Sequence, residues 1–296
     1  MQLLVYILVY PILWLLSHFP MRLLYFTSDL LYVLIYHIIG YRKKVVTDNL
    51  NLIFLEKSSE EIKTISKKFY HHLCDMVLET IKSISISEEQ LKKRFVPTNI
   101  EVVHAIERQG KDIALMMAHY GSWEWIFILQ RYVDYKGYAI YKRLANKYFD
   151  AMVKRIRAKY NTELITTKEA VLKINTAKSK GELTLTGFVS DQNPKHHKAL
   201  HWQEFMGIKV PIHTGAEIMA KKYDMAVLFV DVKKVKRGFY EATFHTITEN
   251  PKEFEDYQIT DEFLKLVEQQ IIEAPEYYLW THKRWKHRDN VPAEFQ

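Results

Sequence analysis

Two apolar runs open the chain, and the pattern changes after them. Residues 3–19 read LLVYILVYPILWLLSHF with no formally charged side chain, a length of roughly 25 Å as an α-helix. Pro11 would kink that helix, and Trp14, His18 and Arg22 suit a headgroup boundary. The second run, residues 23–39, carries Asp29 and many tyrosines, so it is better fitted to an interface or to packing on a folded body. A cleaved secretory signal is disfavoured, since neither a basic leading segment nor a small-residue cleavage site precedes the second run. One transmembrane helix, a monotopic hairpin and an ordinary soluble hairpin all remain compatible with this pattern. Arg42, Lys43 and Lys44 follow directly, and the positive-inside bias then puts the rest of the chain in the cytoplasm.

Beyond residue 41 the periods are those of a folded α/β body. Ser58 and Glu61 have capping-box spacing, and Ile62, Ile65, Phe69, Leu73, Met76, Val77 and Ile81 recur at helical intervals. Short apolar runs follow at 113–118, 138–141, 163–167, 183–190 and 225–232. Helix-like segments at 123–132, 147–159 and 168–180 separate the first four. That rhythm predicts βαβ units and a largely parallel central sheet flanked by helices. Residues 238–247 alternate and predict a strand in hairpin with the one before. No linker rich in Pro, Gly or Ser divides the body, so we expect apolar membrane-anchoring or interfacial helices over 1–41 and one α/β domain over 42–296.

Charge sharpens this division. Arg22 and Asp29 are the only formal charges in the first 41 residues and cancel, so the formal net charge of +7 belongs to the body. A basic body behind an apolar end implies anionic partners: lipid headgroups, phosphorylated substrates, an acidic carrier protein or nucleic acid. With 48% hydrophobic residues, 9 Gly and 8 Pro, disorder is excluded. The single cysteine, Cys74, excludes an intramolecular disulfide and a cysteine-built metal site, and reads as a small residue near a core face. His71, His72 and Asp75 fall on differing helix faces and read as solvated rather than as ligands. The lysines interleaved among His196, His197 and His201 disfavour zinc, so no metal is expected.

Candidate chemistry concentrates in ALMMAHYGSWEWI, residues 114–126. His119 lies at the carboxyl end of a predicted buried strand, where open α/β sheets expose their ligand sites. Gly121 permits a tight turn, Ser122 can cap a helix, and Glu124 falls in that helix's first turn. On a straight helix His119 and Glu124 would point about 140° apart, so a break at Gly121 is needed to bring them together. A carboxylate on one imidazole nitrogen fixes the tautomer and leaves the other nitrogen to take a proton from a hydroxyl. No Gly-x-Ser-x-Gly elbow or catalytic cysteine pattern points to a covalent intermediate.

Taken with other segments, these residues resemble the late acyltransferases of lipid A biosynthesis, the lauroyl and myristoyl transferases of Gram-negative bacteria. The resemblance rests on His119-Tyr120-Gly121-Ser122-Trp123-Glu124, similar to that family's His-x4-Asp/Glu motif, and on Tyr41-Arg42-Lys43-Lys44-Val45 with Asn49-Leu50. It continues through Tyr141-Lys142-Arg143-Leu144 with Asn146, Arg155-Ile156-Arg157, Phe188-Val189-Ser190-Asp191-Gln192 and Phe205-Met206-Gly207. Thr214-Gly215 and the terminal Tyr278-Leu279-Trp280-Thr281-His282-Lys283-Arg284-Trp285 complete it. It implies a membrane-associated enzyme of the cell inner membrane, its catalytic domain on the cytoplasmic side. The reaction implied is transfer of a fatty acyl chain from acyl carrier protein to a hydroxyl of a lipid A precursor. No cofactor is implied beyond the carrier thioester as co-substrate. His119 would be the general base and Glu124 its partner, with Arg157, its neighbour Arg155, and Asp191 binding substrate. The segment departs from relatives where Lys142-Arg143-Leu144 stands in place of the usual Arg-Pro.

Three rival readings accompany this one. The acceptor is instead another membrane lipid such as an aminolipid; the chain is a catalytically silent lipid-binding relative; or the basic body binds nucleic acid with Trp280 and Trp285 as stacking platforms.

Overall fold

In the computed structural model, which describes residues 1–295, the centre of the sheet forms from short, largely apolar segments. Strands β1 (Phe95–Pro97), β2 (Ile113–Met117), β3 (Lys136–Ile140), β4 (Thr162–Ile165) and β5 (Thr184–Val189) are followed by a separate hairpin, β6 (Trp202–Phe205) and β7 (Ile208–Pro211). Strands β8 (Ala226–Lys236) and β9 (Phe239–Thr248) complete the set. The seven-stranded sheet has the order β1-β9-β8-β2-β5-β3-β4. Every neighbouring pair in it is parallel except β8 with β9.

Burial on both faces explains the continuous runs. In β2, Ile113, Leu115 and Met117 enter one core cluster, while Ala114 and Met116 enter another on the opposite face. Strand β8 divides in the same way, with Leu228 and Val230 on one side and Val227 and Phe229 on the other. The α/β sheet flanked by helices is therefore present as expected, including the β8–β9 hairpin.

Ten α-helices cover this sheet or precede it among the described residues: α1 (Gln2–Ser17), α2 (Met21–Tyr32), α3 (Lys43–Ile53), α4 (Ser59–Lys82), α5 (Glu88–Lys92), α6 (Glu101–Arg108), α7 (Lys147–Ala158), α8 (Thr167–Ser179), α9 (Gly215–Tyr223) and α10 (Gln258–Glu273). The expected capping box opens α4: the Glu61 N–H donates to Ser58 Oγ at 3.3 Å, and the Ser58 N–H to Glu61 Oε2 at 2.8 Å. Such a cap contributes about 1 kcal/mol. Residues 123–132 depart from expectation. The helix there is 3₁₀, begins at Trp125, and is entered by a backbone bond from Trp125 N–H to Ser122 carbonyl. The β6–β7 hairpin was not legible either, because its turn uses Met206 and Gly207 at positive φ rather than an Asn-Gly pair.

The N-terminal helices are docked, not loose. Leu24, Ser28 and Tyr32 of α2 are buried, and Ser28 Oγ donates to Asp75 of α4 at 2.8 Å. Arg237 joins Asp29 to Asp75, each at 2.6 Å, and Lys82 Nζ donates to the Ser17 and Phe19 carbonyls at 2.7 and 3.0 Å. The helical stretch Met21–Ile39 is long and apolar enough to cross a membrane. Leu4, Leu8, Ile12 and Leu15 of α1, with Phe26 and Leu30 of α2, are exposed.

Two local expectations are corrected. His72 and Asp75 are buried rather than solvated, because α4 lies between the N-terminal helices and the sheet; only His71 is exposed as expected, stacked on Tyr32. Trp280 and Trp285 are fully buried and stack on each other in the core, so they offer no platform for bases. Cys74 is buried as read, its thiol pushed up to about 12 chiefly by desolvation.

Candidate active site

Strand register brings the central pair together. Met117 of β2 is paired with Val189 of β5. His119 and Asp191 each lie two residues beyond those partners, at the carboxyl ends of adjacent parallel strands, and a step of two restores the same side. His119 Nδ1 stands 2.7 Å from Asp191 Oδ1. Asp191 is 1% exposed and His119 23% at their side chains. An ionised carboxylate only accepts, so Nδ1 carries the proton and Nε2 keeps its lone pair. Burial works to lower the His119 pKa, but the charge and hydrogen bond of Asp191, with the charge of Glu124 behind them, raise it above the ordinary histidine value. Asp191 is disfavoured by burial, yet His119 and backbone N–H groups hold its pKa below the usual carboxylate value.

The carboxylate bonded to His119 is thus Asp191, not Glu124. Gly121 does break the chain as expected, at φ 59°, and a Cβ there would come within 3.0 Å of Val232. The turn carries Glu124 to Arg157 of α7, which donates from Nη2 at 2.6 Å and from Nε at 3.1 Å. Such a forked pair is geometrically specific. Arg157 also lies over the Phe127 ring at 5.2 Å. Glu124 still acts on His119, through its charge rather than by contact. Arg155 is exposed on α7 and does not line the site.

The turn is braced from two sides. From α4, His72 Nε2 lies 3.3 Å from the Gly121 carbonyl, and buried Glu79 accepts from Ser122 Oγ at 3.2 Å. Ser122 therefore uses its hydroxyl on Glu79 instead of capping a helix. From the C-terminal segment, Leu279 N–H donates to the His119 carbonyl at 3.1 Å and Gly121 N–H to the Tyr277 carbonyl at 3.0 Å. That second bond occupies the backbone N–H at Gly121.

A cavity of about 1730 Å³ is lined by His119, Glu124 and Arg157. Its character divides by position on the sheet. Lys142, Lys168, Lys195 and Lys198 come from segments after strands β3, β4 and β5, the edge that bears His119. Leu115, Met117, Leu185 and Val189 line it along one sheet face, and Leu115 lies roughly 13 Å of extended strand before His119. A charged rim above an apolar trough is suited to an amphiphile.

Sequence reasoning named His119, Glu124 and Arg157, which line one cavity, and Asp191, which is buried behind His119. It missed the bracing residues His72 and Glu79, for which α4 offered only polar positions on a mostly apolar face.

Comparison with known proteins identifies the family. Residues 1–287 match the family described as bacterial lipid A biosynthesis acyltransferase. The chain is 23% identical over 287 residues to the lipid A biosynthesis lauroyltransferase of Escherichia coli (strain K12), covering 96% of this chain and 92% of that one. It is 24% identical over 288 residues to the palmitoleoyltransferase of lipid A biosynthesis from the same organism, covering 94% and 89%. The same figures hold for the lipid A biosynthesis acyltransferase of Shigella flexneri.

Proposed function

This chain belongs to the bacterial lipid A biosynthesis acyltransferases, enzymes that transfer acyl groups, and from that premise we propose that it moves a fatty acyl chain from acyl carrier protein to a hydroxyl of a lipid A precursor by general-base catalysis. The observation that carries the reading is an imidazole fixed at Nδ1 by a buried carboxylate, its Nε2 without a protein partner among the described residues, at a cavity with an apolar trough. The acceptor hydroxyl loses its proton to His119 Nε2 as its oxygen attacks the thioester carbonyl. The tetrahedral intermediate then collapses, the C–S bond breaks, and the departing carrier thiolate takes the proton back from the imidazolium. An ester and a free carrier thiol result. Base catalysis of this kind is worth about 10² to 10⁴ in rate. Asp191 stabilises the imidazolium; Glu124 adds its charge and holds Arg157 at the cavity, where its remaining N–H groups are available to a phosphate or to the oxyanion. The basic rim suits glycolipid phosphates and an acidic carrier.

The body lies on the cytoplasmic side of the inner membrane, with α1 and α2 embedded in the interface. Both ends of α1 are tied to the body: Asn146 Nδ2 donates to the Gln2 carbonyl at 3.1 Å, and Lys82 holds the Ser17 carbonyl. A spanning α1 would carry one end about 30 Å away. Mass spectrometry of lipid A from cells with and without the protein tests the reading, with a one-chain mass difference expected. An unchanged lipid A profile together with an altered aminolipid would move the acceptor to that class.

A further inference from the structure

Behind Asp191 lies a buried polar cluster that the reaction above does not use. Asp191 Oδ2, the Tyr278 hydroxyl and Nε and Nη2 of Arg284 are all buried without a conventional hydrogen-bond partner. Tyr278 is 1% exposed and Arg284 0%. Buried polar groups left in this way are costly, and several gathered at one place call for a common explanation. Backbone pairing sets Tyr278 opposite Tyr120, the residue after His119. Arg284 is tied by Nη1 to Asn193 Oδ1 and, at 3.2 Å, to the Pro211 carbonyl, which places it beside the loop that follows Asp191. It also lies over the Phe205 ring at 5.0 Å.

We infer that Tyr278 and Arg284 are positioning residues for the His119–Asp191 pair, forming a relay in which the Arg284 guanidinium stands as the counter-charge and the Tyr278 hydroxyl turns its proton toward Asp191 Oδ2. The polarity is consistent throughout, since the guanidinium carries a fixed positive charge, the phenol can present its proton, and the carboxylate only accepts. The Tyr278 pKa is raised well above the ordinary tyrosine value by burial and by Asp191. Burial lowers Arg284 to about 10, with Tyr278 and Asp191 opposing that loss. The relay keeps Asp191 ionised and turned toward His119, with Arg284 as a buried counter-charge. Around the pair stand Glu124 with Arg157, His282 and His213; burial lowers the last two, His282 to about 4, so both are neutral near pH 7.

This inference rests on His119 as the base, and the experiment separates the two. The full chain in detergent is titrated by ¹⁵N-histidine NMR, with His119 assigned from His119→Gln, alongside kcat and KM for transfer from a carrier-linked fatty thioester to a lipid A precursor. Tyr278→Phe removes only a hydroxyl; Arg284→Gln removes the cation, and Arg284→Lys retains it. Losing the donor or the cation leaves more uncompensated negative charge on Asp191, so the His119 pKa rises in Tyr278→Phe and Arg284→Gln. kcat is expected to fall roughly tenfold with KM within about twofold, the loss of one hydrogen bond to a charged group. Arg284→Lys should return the titration toward wild type. A Tyr278→Phe protein whose titration and kcat match wild type overturns the inference, whichever way Arg284→Gln folds. If instead the acidic limb of the wild-type rate fails to follow the His119 titration, His119 is not the base and the proposed mechanism falls first.

Discussion

Two buried carboxylates flank the turn that carries His119, and their surroundings differ in kind. Asp191 meets an imidazole that can take a full positive charge, and its pKa is lowered. Glu79 meets neutral hydroxyls: Tyr25 at 2.8 Å, Tyr240 at 2.9 Å and Ser122 at 3.2 Å. Burial, helped by the charge of Asp75, dominates there and pushes Glu79 up to about 7, against the Tyr25 and Tyr240 hydroxyls and the more distant Lys234. Equal burial therefore gives opposite outcomes according to whether the partner can carry charge. Asp191 is suited to stabilise an imidazolium. Glu79 is suited to tie three elements together: α2 through Tyr25, β9 through Tyr240 and the turn through Ser122.

The largest test of that contrast is Asp191→Asn. It keeps the shape, removes the charge and favours the wrong His119 tautomer, so kcat is expected to fall by about 10² to 10⁴. Wild-type kcat/KM should rise with pH through a value above the ordinary histidine 6.5, since the base must be neutral. In Asp191→Asn that limb should move to lower pH, because the group that raises it has gone.

Glu124→Ala comes next. A loss of roughly 10² in kcat/KM is expected, with the acidic limb moving down less than in Asp191→Asn, because Glu124 acts on His119 only at a distance and its contact is with Arg157. If steady-state pH profiles put the larger shift in Glu124→Ala, the ranking of the two carboxylates is wrong.

Glu79→Gln should behave unlike either. A raised carboxyl pKa means that the folded state binds the proton more tightly. The resulting stability is full below the unfolded value near 4.5 and declines as pH rises toward 7. Glu79→Gln should flatten that decline in thermal unfolding between about pH 5 and pH 8 and leave most activity in place. A slope unchanged from wild type would show that Glu79 is already ionised. The smallest effect is expected of Arg155→Ala, within about twofold of wild-type kcat/KM, as for a surface side chain away from the cavity.

Some of this was legible along the chain because it is local. Short apolar runs marked five sheet strands, Ser58 and Glu61 announced α4, and Gly121 announced a break at the site. Apolar helices with almost no charge marked the N-terminal segment. His119 stood out because a polar residue closed a buried strand. These features depend on neighbours within a few residues, and backbone sterics and burial act on them directly.

What the chain could not disclose is who meets whom across it. Glu124, five residues from His119, was the nearest carboxylate in sequence, whereas Asp191, 72 residues away, is the one in contact. That choice was made by inserting β5 between β2 and β3, with Met117 beside Val189. Hydrophobic pattern specifies which residues enter a sheet, but not the order of its strands. Only strand order sets which carboxyl end faces His119, and so decides that Glu124 goes to Arg157 while Asp191 holds the imidazole.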